Sequence, residues 1–376
     1  MIYLDNAATT YPKPFAVTSA LLHTLAHPHG NAGRGAHTAA LCSADAIYQA
    51  RKALSCLFGL SDERRVVFAK NATEALNLAF FGLLNQNGKK VRVLTSTLEH
   101  NSVLRPLYEL VRRGSVELSF FEPSVDDDEC LRRVKKAMRL GVDFVAVCVE
   151  ANTTGQALPV RGICNLAKEY GARSLLDASQ AAGHRDVTFA NTGADYICFP
   201  AHKGLYGITG LGALLIGVDA PVPRPLQFGG AGFDSENPAM PAELPEALEA
   251  GTLPIHSVAA LKAGIEFVTS RGVENIGKRE RMLSEYLHKE LKVMDVQVYS
   301  PRESAIVLFN YKGVPAARVA EHLDEFGICV RAGMHCAPRA HQSLQTGKSA
   351  VRASFGAFNT EGDVEVLLRA LSALRT

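Results

Sequence analysis

Short apolar runs alternate with helical patterns between residues 60 and 220 of this 376-residue chain. Most of the runs are nearly continuous in apolar residues, as is typical of strands buried on both faces of a sheet. They predict strands at 66–69, 91–97, 116–121, 144–151, 173–179, 195–200 and 212–218. The segments between the first five predict helices, in TEALNLAFFGLL, NSVLRPLYELVRR, DDDECLRRVKKAMR and VRGICNLAKEYG. This alternation predicts an α/β fold with a mostly parallel seven-stranded sheet and helices on both faces.

The pattern changes near residue 250, where long helical segments precede isolated strand candidates. The helical segments lie at about 256–271 and 273–292, in PAARVAEHLDEF and in EGDVEVLLRALSALR, and the strand candidates at 304–312 and 350–358. The Pro- and Gly-rich segment 221–254 predicts a long irregular connection, which in compact proteins is often functional. We therefore expect a large domain at 16–249 and a smaller α+β C-terminal domain at 250–376, joined by the N-terminal segment 1–15.

Composition narrows the function classes. The net charge is only +2, so no basic surface for nucleic acid is expected. There is no run of about 18 apolar residues to span a membrane, and the N-terminal MIYLDNAATTYPKP, with an early acid and two prolines, does not resemble a secretory signal. Eight scattered cysteines without a CxxC pair or metal-ligand spacing predict free thiols and no metal site. These features predict a cytoplasmic protein with neither nucleic-acid nor membrane partners.

Polar residues follow most of the strand candidates. In an open α/β sheet the ligand site lies beyond the carboxyl ends of the strands, so side chains at these positions should meet. We expect one crevice to contain Thr73, His100, Asn152, Asp177, Gln180, His202 and Lys203. Such a convergence would be more informative than any one of these residues alone.

Lys203 and Asp177 are the most specific members of this set. A lysine beside His202 and near apolar walls has a lowered pKa and becomes an amine that can form a Schiff base. Asp177 ends the apolar run SLLD, where a carboxylate is costly unless it meets a cation such as the pyridinium of pyridoxal phosphate. Thr73 starts a helix whose N-terminus can hold a phosphate. The alternatives are a solvated loop lysine and an ordinary helix-start threonine.

His100 and Arg352 each allow two interpretations. His100 either simply begins a helix or stacks on a planar cofactor and moves protons, and its company with Lys203 and Asp177 favours the second. Arg352 interrupts an apolar strand pattern, and its planar fork matches the α-carboxylate of an amino-acid substrate. The alternative for Arg352 is a structural ion pair.

Cys336 differs from the other cysteines. It lies in the loop RAGMHCAP with Arg331 and His335 as neighbours, and nearby cations favour the reactive thiolate. The other seven mostly lie in apolar patterns, Cys42, Cys56 and Cys164 in helices among them, where core packing is expected. Cys336 is therefore the candidate nucleophile.

Nine motifs in order, from residue 3 to residue 360, carry a family resemblance: YLDNAATT (3–10), GRGAHTAA (33–40), NATEALNL (71–78), LEHNS (98–102), DASQAAGH (177–184), HKGLYGITGLG (202–212), EAGT (249–252), RAGMHCAP (331–338) and VRASFGAFNT (351–360). Together they resemble cysteine desulfurases and selenocysteine lyases, which are pyridoxal-phosphate enzymes of the aminotransferase class V group. The short RAGMHCAP loop resembles the second desulfurase subgroup. The resemblance implies a fold-type I homodimer that takes L-cysteine or L-selenocysteine and passes sulfur or selenium to an acceptor protein.

The same resemblance implies roles for individual residues. Lys203 would bind the cofactor covalently and remove the substrate's Cα proton, while Asp177 would pair with the pyridine nitrogen. His100 would stack on the ring, Gln180 would approach its phenolic oxygen, and Asn152 would lie beside ring and substrate. Arg352 and His37 would bind substrate, and Cys336 would take the sulfur as a persulfide, leaving L-alanine. The implied phosphate ligands are Thr73, His202 and, from the other subunit, Thr252.

Two positions depart from the family pattern. Pro200 stands where a serine or threonine usually helps to bind phosphate, and Met334 replaces the first histidine of a common HHC. Selenocysteine lyase is the alternative activity implied by the resemblance. A further alternative from a different class is a non-catalytic sulfur-relay or binding partner with the same fold, against which intact Lys203, Asp177 and Cys336 argue.

Overall fold

The computed structural model describes residues 1–33, 35–84, 89–232, 236–294 and 296–374. Arg34 of the GRGAHTAA motif, residues 233–235 of the irregular connection and Arg375 of the last predicted helix lie outside these ranges. Within them the strands are β1 (Ile2–Tyr3), β2 (Val66–Ala69), β3 (Val91–Ser96), β4 (Val116–Phe121), β5 (Phe144–Cys148), β6 (Arg173–Asp177), β7 (Tyr196–Pro200), β8 (Gly212–Ile216), β9 (Val296–Val298), β10 (Ile306–Tyr311), β11 (Ile328–Cys329), β12 (Arg331–Gly333) and β13 (Ala350–Ser354).

The helices lie between and after these strands, and α1 and α2 precede the region from which helices were predicted. They are α1 (Phe15–Ala26), α2 (Thr38–Phe58), α3 (Ala72–Leu84), α4 (Asn101–Arg112), α5 (Asp127–Met138), α6 (Val160–Glu169), α7 (Phe189–Thr192), α8 (Ile255–Arg271), α9 (Val273–Leu291), α10 (Ala316–Glu325), α11 (Pro338–Ser343) and α12 (Glu361–Ser372). No helix in the described part of the chain combines the length and apolarity needed to cross a bilayer.

The central sheet has seven strands in the order β2-β8-β7-β6-β5-β3-β4. Strand β8 runs antiparallel to both neighbours and the other pairs are parallel, which confirms the predicted α/β fold with a mostly parallel sheet. Alternate residues point to opposite faces: Leu176 packs with α2, α5 and α6, whereas Leu175 packs with α3 and α4. Both faces are therefore buried, which explains the continuous apolar runs.

Strands β5 and β6 end earlier than predicted, and for a local reason. The prediction of strand to residue 151 was wrong, because β5 ends at Cys148 and Glu150 forms an isolated bridge with Ala157 instead of continuing the strand. The prediction to residue 179 was wrong, because the Asp177 carboxylate accepts the Ser179 backbone N–H and turns the chain. Both departures bring polar residues to the carboxyl edge of the sheet.

A second, antiparallel sheet has the order β12-β13-β10-β9 and packs against α9, α10 and α12. The N-terminal β1 pairs with β11 beside this sheet, and Asp5 bridges to Ser354 at the end of β13. Between 221 and 254 the described residues form no helix or strand, as predicted. The domain boundary at 249/250 stays a prediction. Strand β12 was missed, so the loop in RAGMHCAP is limited to the residues after Gly333.

Candidate active site

A cavity of about 180 Å³ opens at the carboxyl ends of the central strands. It is lined by all seven side chains that strand order predicted to converge: Thr73, His100, Asn152, Asp177, Gln180, His202 and Lys203. Residues that sequence reasoning did not select, among them Ser102 and Glu150, share the same walls. We call this cavity the crevice.

Lys203 lies in the loop after β7. Its carbonyl and that of His202 both accept hydrogen bonds from the Thr10 hydroxyl, at 3.1 Å, so the N-terminal segment holds this loop. Burial lowers the pKa of Lys203 to about 8, although the Asp177 carboxylate opposes the shift. An amine with such a pKa is a competent nucleophile near neutral pH.

Asp177 ends β6 and is 4% exposed. Its Oδ1 accepts a hydrogen bond from the Ser179 N–H at 2.9 Å, which fixes the carboxylate at the carboxyl end of β6. Gln180, three residues further along the chain, donates a hydrogen bond from Nε2 to the Ala7 carbonyl at 2.8 Å. The loop after β6 is thereby tied to the N-terminal segment.

His100 caps the N-terminus of α4 and also lines the crevice, so its two interpretations hold together. Its Nδ1 accepts the Ser102 N–H at 3.0 Å, which places the proton of the neutral ring on Nε2. Burial and the charge of Lys203 lower the pKa of His100 to about 4, so the ring is neutral at pH 7. Ser102 Oγ lies 2.9 Å from His100 Nδ1 and 2.8 Å from Thr73 Oγ1. Only the LEHNS motif could have pointed to this serine.

Three buried polar atoms of residues that line the crevice have no hydrogen-bond partner within the described chain: His202 Nδ1, Asn152 Oδ1 and Glu150 Oε1. Burial and then the Lys203 charge lower the pKa of His202 to about 4. Because an unpaired buried polar atom is costly, such atoms indicate a site built for a polar ligand. Pro200 is buried at the end of β7 and has no backbone N–H or side-chain donor to offer there.

Arg352 lies on β13 with 1% exposure. Its Nη1 donates to the Asn152 carbonyl at 2.7 Å and its Nη2 to Asp5 Oδ1 at 2.8 Å. The structural ion pair, weighed as an alternative, is therefore present. Nε nevertheless remains a buried donor with no partner among the described residues, so the guanidinium retains capacity for a further acceptor.

Cys336 is exposed at a tight turn on the rim of the crevice. The Ala337 N–H donates to the Met334 carbonyl at 3.0 Å, and the two central residues, His335 and Cys336, have φ of 49° and 55°. Such left-handed φ values cost about 1–2 kcal/mol for each residue that is not glycine, so other contacts must hold the turn.

The large-sheet side of the molecule supplies two of those contacts. The Asn101 N–H donates to the Cys336 carbonyl and Asn152 Nδ2 donates to the His335 carbonyl, both at 2.7 Å. Asn152 lines the crevice and Asn101 follows His100, so the cysteine turn is docked on the crevice that contains Lys203.

The charge near Cys336 differs from the sequence expectation. Arg331 Nη2 lies 3.9 Å from Cys336 Sγ and supplies a positive charge beside the sulfur. His335 supplies none: burial lowers the pKa of its ring to about 3, and the ring is therefore neutral. The expectation that His335 also contributes positive charge was wrong, because its side chain points into the protein interior rather than to the loop surface.

The remaining predicted residues lie elsewhere. Thr252 is exposed and accepts a hydrogen bond from Asn31 Nδ2 at 3.1 Å, and exposed His37 caps α2 by accepting the Ala40 N–H. Neither lines the crevice of its own chain. Cys42 and Cys56 are exposed on α2, so their expected core packing was wrong, whereas Cys130, Cys148, Cys164 and Cys198 are buried.

A buried charged cluster behind the crevice was missed altogether. Glu150 bonds to Arg185, and His184 lies between two carboxylates, 3.6 Å from Glu150 and 3.1 Å from Glu280. Burial opposes the charge on His184, but Glu280 and Glu150 outweigh it and raise the pKa to about 10. The partners lie on separate elements far apart in sequence, so no local pattern could have joined them.

The chain is similar to known proteins in both sequence and structure. The family model for aminotransferase class-V matches residues 2–367. A probable cysteine desulfurase of Pyrococcus abyssi is 33% identical over 383 residues, covering 100% of this chain and 94% of the relative, and one from Synechocystis sp. is 31% identical, covering 99% and 90%. The apo structure of a cysteine desulfurase from Thermococcus onnurineus NA1 superposes with a TM-score of 0.91 at 30% identity, covering 98% of this chain and 93% of that one. The chain therefore belongs to the aminotransferase class-V family, alongside proteins named as cysteine desulfurases.

Proposed function

We propose that this protein is a pyridoxal-phosphate-dependent cysteine desulfurase, which converts L-cysteine to L-alanine and transfers the sulfur to Cys336. The observation that carries the proposal is the docking of an exposed cysteine turn on the crevice of Lys203 and Asp177. The names of relatives that span almost the whole chain support the same activity.

The crevice residues fit pyridoxal phosphate. Asp177 would pair with the ring nitrogen, Lys203 would bind the aldehyde carbon, and Gln180 would approach the phenolic oxygen. Unpartnered His202 Nδ1 and the N-terminus of α3 with Thr73 offer donors to the phosphate. When bound, the cofactor supplies an electron sink that stabilises negative charge at the substrate Cα.

The chain's own groups supply binding and proton transfer. Arg352, with its unpartnered Nε, would bind the substrate α-carboxylate. Lys203, whose pKa is lowered to about 8, would accept the substrate's Cα proton, and neutral His100 would hold a proton on Nε2 close to the reacting atoms.

Cys336 would act as the nucleophile. Its sulfur, which lies 3.9 Å from Arg331 Nη2, would attack the substrate sulfur as the thiolate, so that a new S–S bond forms as the substrate Cβ–S bond breaks. The electron pair of the broken bond stays with carbon, and protonation of that carbon gives L-alanine. One cysteine and one enzyme thiol thus give one alanine and one enzyme persulfide, with no external oxidant or reductant.

We further propose a homodimer in which Thr252 completes the partner subunit's phosphate site and His37 its substrate site. Both side chains are exposed and lie outside the crevice of their own chain, which suits a role across a subunit interface. The exposed Cys336 persulfide would be open to a sulfur-acceptor protein.

Steady-state turnover tests the activity. The holoenzyme with L-cysteine and dithiothreitol should produce alanine and sulfide in equal amounts. The variant Cys336→Ser should keep the cofactor absorbance but produce sulfide only at the rate of the protein-free control. Equal sulfide production by wild type and Cys336→Ser would overturn the proposal.

A further inference from the structure

A buried row of hydrogen-bonding side chains runs from the cysteine turn to α11 and the segment that follows it. His335, His341 and Thr346 are 2%, 1% and 4% exposed. Thr346 Oγ1 lies 2.5 Å from His341 Nδ1, and His341 Nε2 lies 3.1 Å from His335 Nδ1. The far nitrogen of His335, Nε2, lies 3.2 Å from the Arg331 carbonyl. We call this series the histidine chain.

The direction of every bond in the histidine chain follows from its last acceptor. A carbonyl oxygen can only accept, so His335 Nε2 carries the proton that it donates to Arg331. A neutral His335 then accepts at Nδ1 from the N–H of His341 Nε2, and His341 accepts at Nδ1 from the Thr346 hydroxyl. Burial lowers the pKa of both rings, which keeps each neutral as this arrangement requires.

The histidine chain is anchored at its far end. The Thr346 carbonyl accepts from Asn310 Nδ2 at 3.0 Å, and Asn310 belongs to β10 in the middle of the second sheet. The Thr346 N–H also donates to the His341 carbonyl at 3.2 Å. Thr346 is thus fixed to the sheet, and it forms hydrogen bonds with His341 through both its main chain and its side chain.

At its near end the histidine chain acts on the strained turn. His335 is one of the two left-handed residues, and its ring bonds back to the carbonyl of Arg331, the residue whose guanidinium faces Cys336 Sγ. Asn101 and Asn152 hold the turn from the crevice side through its carbonyl groups. The histidine chain holds the same turn through the His335 ring.

We propose that His341 and Thr346 are positioning residues for the sulfur-accepting thiol, holding the left-handed turn so that Cys336 faces both Arg331 and the crevice. This inference rests on the proposed role of Cys336 as sulfur acceptor. The hydrogen bonds of the two side chains go to each other and to His335 and not to Cys336, so each residue acts through His335 and the turn. Loss of the chain should therefore impair sulfur transfer and thiol reactivity while leaving cofactor binding intact.

Two matched pairs of variants test the histidine chain. Thr346→Val exchanges the hydroxyl for a methyl of similar volume, whereas Thr346→Ser keeps the hydroxyl. His341→Leu removes both ring nitrogens, whereas His341→Gln keeps an amide that can donate to His335. Circular dichroism and cofactor absorbance establish that each variant is folded and loaded.

Thiol reactivity is measured first, without substrate, as the rate of Cys336 alkylation by iodoacetamide with peptide-level mass spectrometry. We expect Thr346→Val and His341→Leu to slow it about threefold or more, because a released turn moves the thiol away from Arg331. We expect kcat for sulfide release to fall about tenfold with KM for L-cysteine unchanged, and the Ser and Gln variants to recover most of both values.

The proposal is overturned if Thr346→Val matches wild type in both the alkylation rate and kcat, or if KM rises in step with the fall in kcat. Should His341→Leu fail to fold, Thr346→Val still decides the outcome, because it changes a single group. Alkylation needs no turnover, so a protein that does not desulfurate cysteine would still report on the histidine chain, and the two failures remain distinguishable.

Discussion

Replacing Glu280 by glutamine should make the stability of this protein lower and less dependent on pH. Glu280 lies on α9 and faces His184, with 3.1 Å between Oε2 and Nδ1 and side chains 4% and 12% exposed. Helix α9 approaches so closely that a Cβ on Gly277 would lie 2.1 Å from the His184 carbonyl oxygen. The two elements therefore have little room to separate and relieve a lost charge.

The magnitude follows from the pKa of His184. A rise of the His184 pKa from 6.5 to about 10 corresponds to about 5 kcal/mol in favour of the charged ring. Glu280 contributes most of the attraction that offsets the cost of burying this charge. Glutamine keeps the shape and a hydrogen-bond acceptor, so we expect a loss of about 3 kcal/mol at pH 7, in the range for breaking a buried pair. For 376 residues this corresponds to a fall in Tm of about 4 °C.

The pH dependence has a definite sign. Because the pKa of His184 is raised on folding, its stabilisation is complete below about pH 6.5 and is lost as the pH rises through about 10. Urea unfolding from pH 6 to pH 10 should show wild type losing stability with rising pH and Glu280→Gln losing less. Glu274→Gln, a change at a 60% exposed glutamate on the same helix, is the control and should match wild type within about 0.5 kcal/mol. A deficit of Glu280→Gln that is the same at pH 7 and pH 10 would refute the reasoning.

Four further substitutions test the site. Lys203→Ala should abolish both the absorbance of covalently bound cofactor and alanine production; normal alanine formation would contradict the role of this amine. Cys336→Ala should keep that absorbance yet yield no sulfide from cysteine, and wild-type sulfide yield would reduce the thiol to a packing residue. Arg352→Ala should raise KM for L-cysteine about tenfold or more through loss of a charge-assisted hydrogen bond, whereas an unchanged KM would leave only the ion pair with Asp5. Thr252→Ala should weaken cofactor binding in a titration of the apo-protein without altering its sedimentation coefficient; unchanged affinity would exclude Thr252 from the phosphate site.

Much of the central sheet was predictable because its strands are buried on both faces. Strands β5 and β7 are apolar throughout and β6 has the apolar pair Leu175–Leu176 at its centre, and such runs are distinct from the helical segments between them. The antiparallel direction of β8 was not predicted, although only residues 201–211 separate it from β7. That connection is too short for the helical crossover that a parallel neighbour usually needs.

The short strands β1 and β12 were not predicted, because neither has a hydrophobic pattern of its own. They contain two and three residues, and each exists through pairing with a distant strand rather than through its own pattern. Strand β12 sets where the cysteine turn begins, so this omission made the RAGMHCAP loop look longer than it is.

The crevice was predictable to the extent that each member follows a strand of one sheet. The ion-pair and hydrogen-bond partners of the site residues were not predictable. Arg352 pairs with Asp5, 347 residues away, and a sequence pattern offers no distance between them. His335 looked like a cation beside Cys336, but burial makes it neutral and turns it into part of a hydrogen-bond series with His341. Burial and long-range pairing, rather than residue type, decide these roles.

Mass spectrometry of the protein after brief incubation with L-cysteine, followed by alkylation and digestion, tests the central claim most directly. The account predicts a mass gain of one sulfur atom on the peptide that contains Cys336, absent from Lys203→Ala and from cofactor-free protein. Added sulfur on the exposed Cys42 or Cys56 instead, or on no cysteine while alanine still accumulates, would contradict it.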